Sequence, residues 1–366
     1  MKVYSKVIKP ILFLFHPDRV HGTIVKTGWF LGLFPFVRSL MSKVFVFESS
    51  YLSQTILGVD FKNPIGLSGG FDKNAQLIRI IPTVGFGFME VGSITRFAYK
   101  GNKRPWSVRL PKDRSLIVNY GLKNRGVDVL FPVIENTSRE IPLIVNIAKT
   151  NDKAISGQGT IDDYIYSYKK LESVADVINI NISCPNTGDG VLLCEDIDLL
   201  TRLLEELQKA FDVTKDKKPI LLKLKPDLSL DQLTHIVMTV KRYPCVKGYI
   251  ISNLSKNRAL LKHTPAGEHE QYKGGISGEP IRDISTHMIR DVRRLAGNEY
   301  VIIGCGGVFT AQDAYEKLKA GANLIELITG LVYEGPSVLK QINSGLVDLL
   351  KKDGLSNVSE VKKYWK

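Results

Sequence analysis

Eight short apolar runs, each ending in small or polar residues, constrain this chain more than any other feature. They begin at Asn63 (NPIGLSGG), Phe88 (FMEVGS), Pro142 (PLIVNI), Val177 (VININ), Ile220 (ILLKLKPD), Gly248 (GYIISN), Tyr300 (YVIIGCGG) and Leu324 (LIELITG). Strict apolar–polar alternation is missing, as expected of parallel strands buried on both faces. Amphipathic stretches of helical length separate the later runs, at 195–211, 230–242, 284–295 and 311–320. Eight β-then-α units predict an α/β fold, a (β/α)8 TIM barrel. The 96–141 interval exceeds one helix and predicts an extra loop or hairpin near the site.

Barrel enzymes carry their chemistry at the C-terminal ends of the strands. Here those ends read Ser68-Gly69-Gly70, Gly92-Ser93, Asn146, Asn181, Lys223, Ser252-Asn253, Gly306-Gly307 and Thr329-Gly330. Ordinary turns would hold more Asp and Pro and fewer Asn and Lys. The glycines of the last two runs can open backbone N–H groups to a phosphorylated ligand. A buried Lys223 requires a negative partner, either a reduced flavin or a structural ion pair. In Asn181-Ile182-Ser183-Cys184-Pro185-Asn186-Thr187, two asparagines flank a thiol, so they can clamp an amide-rich ring while the thiol moves a proton. Taken alone, a cysteine such as Cys184 is more often a small buried hydrophobe.

The N-terminal 44 residues have a different character. Seven Lys/Arg residues and one acid, Asp18, are interleaved with Ile8, Ile11, Leu12, Phe15, Trp29, Phe30, Phe34 and Phe36. Segments 3–15 and 20–41 predict two amphipathic helices, the first interrupted by Pro10. Apolar bulk edged by Lys26, Arg38 and Lys43 fits either an interfacial helix pair on an anionic membrane or a helical cap on the barrel. No window is long and apolar enough to span a bilayer. Neither a secretory cleavage pattern nor an Arg- and Ser-rich transit segment is evident. The boundaries expected are a membrane-associating extension at 1–44, the barrel at 45–350 and an exposed basic tail at 351–366.

The formal charge of +13 admits nucleic acid, anionic membrane or a merely lysine-rich surface. Cys184, Cys194, Cys245 and Cys305 form no CxxC pair, and the six histidines have no metal-binding spacing. Neither a metal nor a disulfide framework is expected.

In order and spacing, the motifs SGGFDKNA (68–75), GFGFMEVGSIT (85–95), NISCPNT (181–187), LLKLKPDLS, GGISGEPI (274–281) and IIGCGGV resemble the dihydroorotate dehydrogenase family. HPDRVHG (16–22) resembles the membrane-docking extension of its quinone-reducing class. The resemblance implies oxidation of dihydroorotate to orotate with FMN and a membrane quinone, at a peripheral site on the cytoplasmic side of the cell membrane, with no nucleic acid partner. It implies FMN contacts from Gly69, Gly70, Phe71, Asp72, Lys73, Ser93, Asn146, Asn181, Lys223, Ser252, Gly278, Gly306, Gly307, Ile328, Thr329 and Gly330. Substrate contacts would come from Lys73, Asn119, Tyr120, Gly121, Leu122, Asn181, Asn186 and Asn253. Cys184 would be the base, and His21 and Arg109 would border the quinone tunnel.

Three positions depart from the family pattern. Cys184 stands where the quinone-using class has serine. The loop 118–122 is one residue short of an Asn-x-x-Gly pattern, and Leu254 replaces a hydroxyl residue. The alternatives are an FMN barrel acting on another dihydropyrimidine or using fumarate or NAD, a tRNA dihydrouridine synthase-like enzyme, and a flavin-binding protein without catalysis.

Overall fold

All eight apolar runs become parallel strands of one closed barrel in the computed structural model, which describes residues 4–187 and 192–365. The strands are β1 (Ile65–Asp72), β2 (Phe88–Ile94), β3 (Leu143–Ile147), β4 (Val177–Asn181), β5 (Ile220–Leu224), β6 (Val246–Ile251), β7 (Val301–Cys305) and β8 (Leu324–Leu327). Each pairs with its sequence neighbours, and β8 closes onto β1. Helices Ile197–Val213, Leu230–Val240, Arg282–Ala296 and Ala311–Lys319 lie between strands, each within a few residues of the expected bounds.

Side chains of a strand alternate between its faces, so residues two apart share the barrel interior. Phe88, Ile144, Val177, Leu221, Ile250, Ile303 and Leu324 form an apolar interior layer, plugged from below by Phe61 of the Gln54–Ile56/Val59–Phe61 hairpin. Two residues further along each strand come Glu90, Asn146, Asn179, Lys223, Ser252, Cys305 and Glu326. This second layer is polar. The outward set, including Met89, Val145, Ile178, Leu222, Ile302 and Ile325, packs in the core shared with the helices. The chain therefore buries both faces of every strand, which is why the sequence shows no clean alternation.

The long 96–141 segment holds the expected hairpin, Ser107–Leu110 with Ser115–Val118, followed by a helix at Val127–Glu135. Gly275–Gly278 adds a third antiparallel strand to it, a partner the sequence did not reveal.

The N-terminal extension departs from the expected two helices. A π turn (Tyr4–Ile8) and a short helix (Lys9–Phe13) replace the first, with residues 1–3 outside the described part. The second segment splits into Pro17–Gly32 and Pro35–Phe45. Pro35 forces Phe34 into an extended conformation (φ −99°, ψ 110°), which ends one helix and starts the next. The His16 side chain accepts a hydrogen bond from Asp18 N at 3.3 Å, so the first of the two begins three residues earlier than expected.

The basic tail is not an exposed end. Leu355, Val358 and Val361 are buried, and the Val358–Tyr364 segment is a 3₁₀ helix. Residues three apart eclipse in that geometry, so three spaced apolar residues make one buried stripe. Trp365 Nε1 donates to Leu318 O at 2.8 Å, and its ring lies under the Arg293 guanidinium.

Gly66 on β1 faces Phe88 inside the barrel, and a Cβ there would lie 2.3 Å from the ring. Gly66→Ala is expected to cost about 1–3 kcal/mol through overpacking, read as a lower denaturant midpoint. An unchanged midpoint would show that the interior can shift to absorb a methyl group.

Candidate active site at the mouth of the barrel

A cavity of about 570 Å³ extends from the polar layer at the C-terminal strand ends to the underside of the N-terminal helices. At the barrel end it is lined by Ser68, Gly69, Gly70, Phe71, Lys73, Ser93, Asn146, Asn181, Lys223 and Ser252. Gly278, Gly306, Gly307, Ile328, Thr329 and Gly330 border it on one side; Tyr120, Gly121, Leu122, Cys184, Asn186 and Asn253 border it on the other. His21 and Arg109 line it under the extension, beside Leu12, Phe13, Val20 and Leu31. Walls that are apolar at one end and polar at the other are the usual make-up of a small-molecule site.

Two expected residues are set back from this cavity. The Asp72 carboxylate accepts from Gln76 N (2.9 Å) and Leu77 N (2.7 Å), so it closes the turn after β1. Asn119 is held from behind, its Oδ1 accepting from Asn102 Nδ2 at 3.0 Å.

At the centre of the floor, Lys223 Nζ lies 2.8 Å from Glu90 Oε2, with both side chains buried. The structural ion pair is therefore present, and Lys223 still borders the cavity. Glu90 also accepts from Gly69 N (2.7 Å), Asn146 Nδ2 (2.5 Å) and Asn179 Nδ2. Burial opposes its charge, but Lys223 and these donors outweigh burial and hold the carboxyl below its usual range. Burial opposes the Lys223 cation too, and the Glu90 carboxylate beside it more than restores it.

Further out, Lys73 Nζ sits 3.7 Å from the centroid of the Tyr120 ring and donates to Gly70 O. Burial lowers its pKa to about 7, against the pull of Asp72. His21 Nε2 lies 2.9 Å from Phe71 O. A carbonyl can only accept, so Nε2 carries the proton. Burial first, then Lys73, lowers the His21 pKa to about 3, which leaves the ring neutral at physiological pH.

The asparagines form two hydrogen-bonded sets, one around Asn181 and Asn253 and one around Asn186. Asn181 Nδ2 donates to Ser93 Oγ (3.0 Å), Asn253 Nδ2 to Asn181 Oδ1 (3.1 Å), and Asn186 Nδ2 to Val118 O (2.9 Å). Val118 thus serves through its carbonyl, whatever its side chain. Leu254 packs against Gly275, where a Cβ would lie 2.5 Å away, so its side chain fills space beside that glycine. Cys184 lines both this cavity and a second one of about 460 Å³. Residues 188–191, next to it in sequence, lie outside the described part.

Sequence reasoning missed Glu90, Glu326, Asn102 and Ser183. Ser183 Oγ donates to Lys223 O at 2.6 Å. Asn102 Nδ2 also reaches Asn186 O (3.0 Å), while its Oδ1 accepts from Tyr99 Oη (2.8 Å) and Asn151 Nδ2 (3.3 Å). Glu90 and Glu326 were legible as period-two partners of inward strand residues. Asn102 lies in an irregular loop and gave no such signal.

The fold and the cavity define a (β/α)8 barrel protein with a small-molecule site at the strand C-termini. Residues 51–350 match the family model described as Dihydroorotate dehydrogenase. The chain is 35% identical to Dihydroorotate dehydrogenase (quinone) of Trichodesmium erythraeum, covering 98% of both chains. It is 36% identical to Dihydroorotate dehydrogenase (quinone) of Christiangramia forsetii, covering 94% of this chain and 99% of the relative. A crystal structure of DHODH from Eimeria tenella in complex with ferulenol superposes with a TM-score of 0.83 at 26% identity, covering 96% and 97% of the two chains. The chain belongs to the dihydroorotate dehydrogenase family. These relatives carry the quinone-linked name over nearly their whole length, so the tRNA-modifying and fumarate- or NAD-linked alternatives are set aside.

Asn102 ties the 118–122 loop to the 181–187 loop. Asn102→Ala removes two donated bonds to part-buried acceptors, a cost of about 1 kcal/mol each. The expected outcome is a KM for dihydroorotate raised about tenfold or more with bound flavin retained, measured by steady-state kinetics and absorbance. An unchanged KM would remove Asn102 from substrate positioning.

Proposed function

We propose that FMN lies across the barrel end of the cavity, that dihydroorotate stacks beside it next to Cys184, and that a membrane quinone enters beneath the N-terminal helices. The chain is a quinone-linked dihydroorotate dehydrogenase-type oxidoreductase, and its reaction is the oxidation of dihydroorotate to orotate in pyrimidine biosynthesis. The observation that carries the placement is one continuous cavity, polar at Lys223 and apolar under the extension, with Cys184 on its wall.

The residues present fit FMN. Asn146 Oδ1, Ser252 Oγ and Asn186 Oδ1 are buried without a hydrogen-bond partner among the described residues, and all three residues line the cavity. Gly306 and Gly307 have φ of +115° and +69°, and a Cβ on Gly307 would lie 2.3 Å from Arg282, so that turn presents bare backbone to a phosphate. When bound, FMN supplies the hydride acceptor for the substrate's C6 and the route by which the electron pair reaches quinone. Lys73, Asn181, Asn186 and Asn253 would hold the pyrimidine ring and its carboxylate. The Cys184 sulfur would take the C5 proton. Neutral His21 and the Arg109 guanidinium would border the quinone.

The extension supports a membrane role without spanning one; no helix among the described residues is long and apolar enough to cross a bilayer. Its inner face is bolted to the barrel. Asp18 accepts from Trp106 N (2.9 Å) and Ser107 Oγ (2.7 Å), and Arg109 donates to Phe15 O (2.8 Å). Its outer face leaves Leu14 83% and Phe36 77% exposed, along with Trp29, Phe30 and Leu40, beside exposed Lys26 and Lys43. Apolar anchors with a cationic edge favour peripheral contact with the anionic cytoplasmic leaflet, where quinone partitions.

Cys184→Ala is expected to keep FMN bound and to lose at least a hundredfold in turnover, within the usual contribution of a general base of about 10²–10⁴. Normal flavin bleaching by dihydroorotate in that variant would remove Cys184 from the chemistry. Phe36→Asp should weaken co-sedimentation with anionic vesicles while leaving bleaching by dihydroorotate intact. Equal vesicle binding by both proteins would refute contact through this face.

A further inference from the structure

The polar floor of the barrel contains two carboxylates and one ammonium group. Lys223 Nζ is 2.8 Å from Glu90 Oε2 and 3.5 Å from Glu326 Oε2, and both glutamate side chains are fully buried. The two acids are unequally served. Glu90 accepts from four donors on four elements: Gly69 N, Asn146 Nδ2, Asn179 Nδ2 and Lys223 Nζ. Neither oxygen of Glu326 accepts a well-formed hydrogen bond among the described residues; its polar neighbours are the Lys223 ammonium at 3.5 Å and the Ser68 and Glu90 side chains. An ionised carboxylate buried with so few donors, beside a second carboxylate, is one of the costliest arrangements in a protein interior, and the group escapes that cost by binding a proton.

We propose that Glu326 is a protonated carboxylic acid at neutral pH, and that its proton keeps the floor of the cavity electrically neutral under the bound ligands. Charge counting then gives one cation, Lys223, and one anion, Glu90. Of the other groups around Glu326, Ser68 is neutral. Cys305, its register neighbour on β7, is a thiol whose pKa burial pushes up to about 11. The other neighbouring strand contributes Gly66 and no charge. Burial and then Glu90 push the Glu326 carboxyl well above the ordinary range, with Lys223 opposing. Glu326 is a positioning residue that acts through Lys223. Were it ionised, the lysine would be overcompensated, and the floor would carry a net negative charge. That charge would oppose an anionic substrate and any negative charge gained by the flavin above it. The effect on flavin rests on the FMN reading given above, whereas the proton itself does not.

The test uses the full-length protein labelled with carboxyl-¹³C glutamate, which separates glutamic acid C=O stretching from flavin carbonyl bands in infrared spectra. A labelled acid band at neutral pH that shifts in D₂O and disappears in Glu326→Gln is expected. Absence of any such band in the wild-type protein overturns the proposal, even if the variant fails to fold. In the flavin-loaded proteins, Glu326→Gln should leave the flavin midpoint potential at neutral pH unchanged, because an amide replaces a neutral acid. A raised potential in the variant would mean that a negative charge had been removed, and would overturn the proposal. Protein purified without flavin would count against the FMN reading alone, since the infrared band is read on the protein itself.

Discussion

The buried Lys223–Glu90 pair is the interaction on which the site depends. It joins β5 to β2 across the barrel interior and lies directly above the apolar layer, so the barrel must close correctly before either charge finds its partner. Removing water from two charges is costly, and the Coulomb attraction offsets that cost only when the remaining donors and acceptors are satisfied. Here Gly69, Asn146 and Asn179 supply the extra donors. Gly69 must lack a side chain for this, because a Cβ there would lie 2.6 Å from the Glu90 carboxyl carbon. The same pair holds an ammonium group at the bottom of the cavity, so it orders the core and sets the field that a bound ligand meets.

Above that floor, the extension roofs part of the barrel mouth and lengthens its cavity. Asp18 clamps the hairpin, Tyr4 Oη donates to Val332 O, and His21 donates to Phe71 O. These contacts reach three separate parts of the barrel rim. They leave the opposite face of the extension apolar and exposed. One short segment thus serves as roof and as outer surface: its packed face makes it a cap on the barrel, and its other face stays apolar and exposed.

Most strand-end residues were legible because a barrel gives them a fixed meaning. An inward position at the C-terminal end of a strand points at the site, and Asn146, Asn181, Lys223 and Ser252 follow from that rule alone. The rule also accounts for Glu90 and Glu326, yet their sites read as mid-strand residues in apolar runs, and nothing local marks them as paired with a lysine more than a hundred residues away. Asp72 and Asn119 show the reverse case. Both sit in motifs close to the cavity, but Asp72 is consumed by capping Gln76 and Leu77, and Asn119 by Asn102. Side-chain hydrogen bonding within a loop decides such cases, and loop length alone does not reveal it.

By itself, the sequence determined the eight-unit barrel, the distinct amphipathic extension and the residues offered at the strand ends. Those properties follow from local periodicity and from the small, polar ends of the runs. Tertiary structure decided which carboxylate Lys223 meets, where Asn102 ties two loops, how Pro35 bends the extension over the mouth, and that the tail packs through Leu355, Val358 and Val361. Each of these depends on contacts between residues distant along the chain, and burial gives those contacts their energy. The charge balance of the floor is of the same kind: Glu90 and Glu326 are alike in sequence, and only the unequal supply of donors inside the closed barrel distinguishes them.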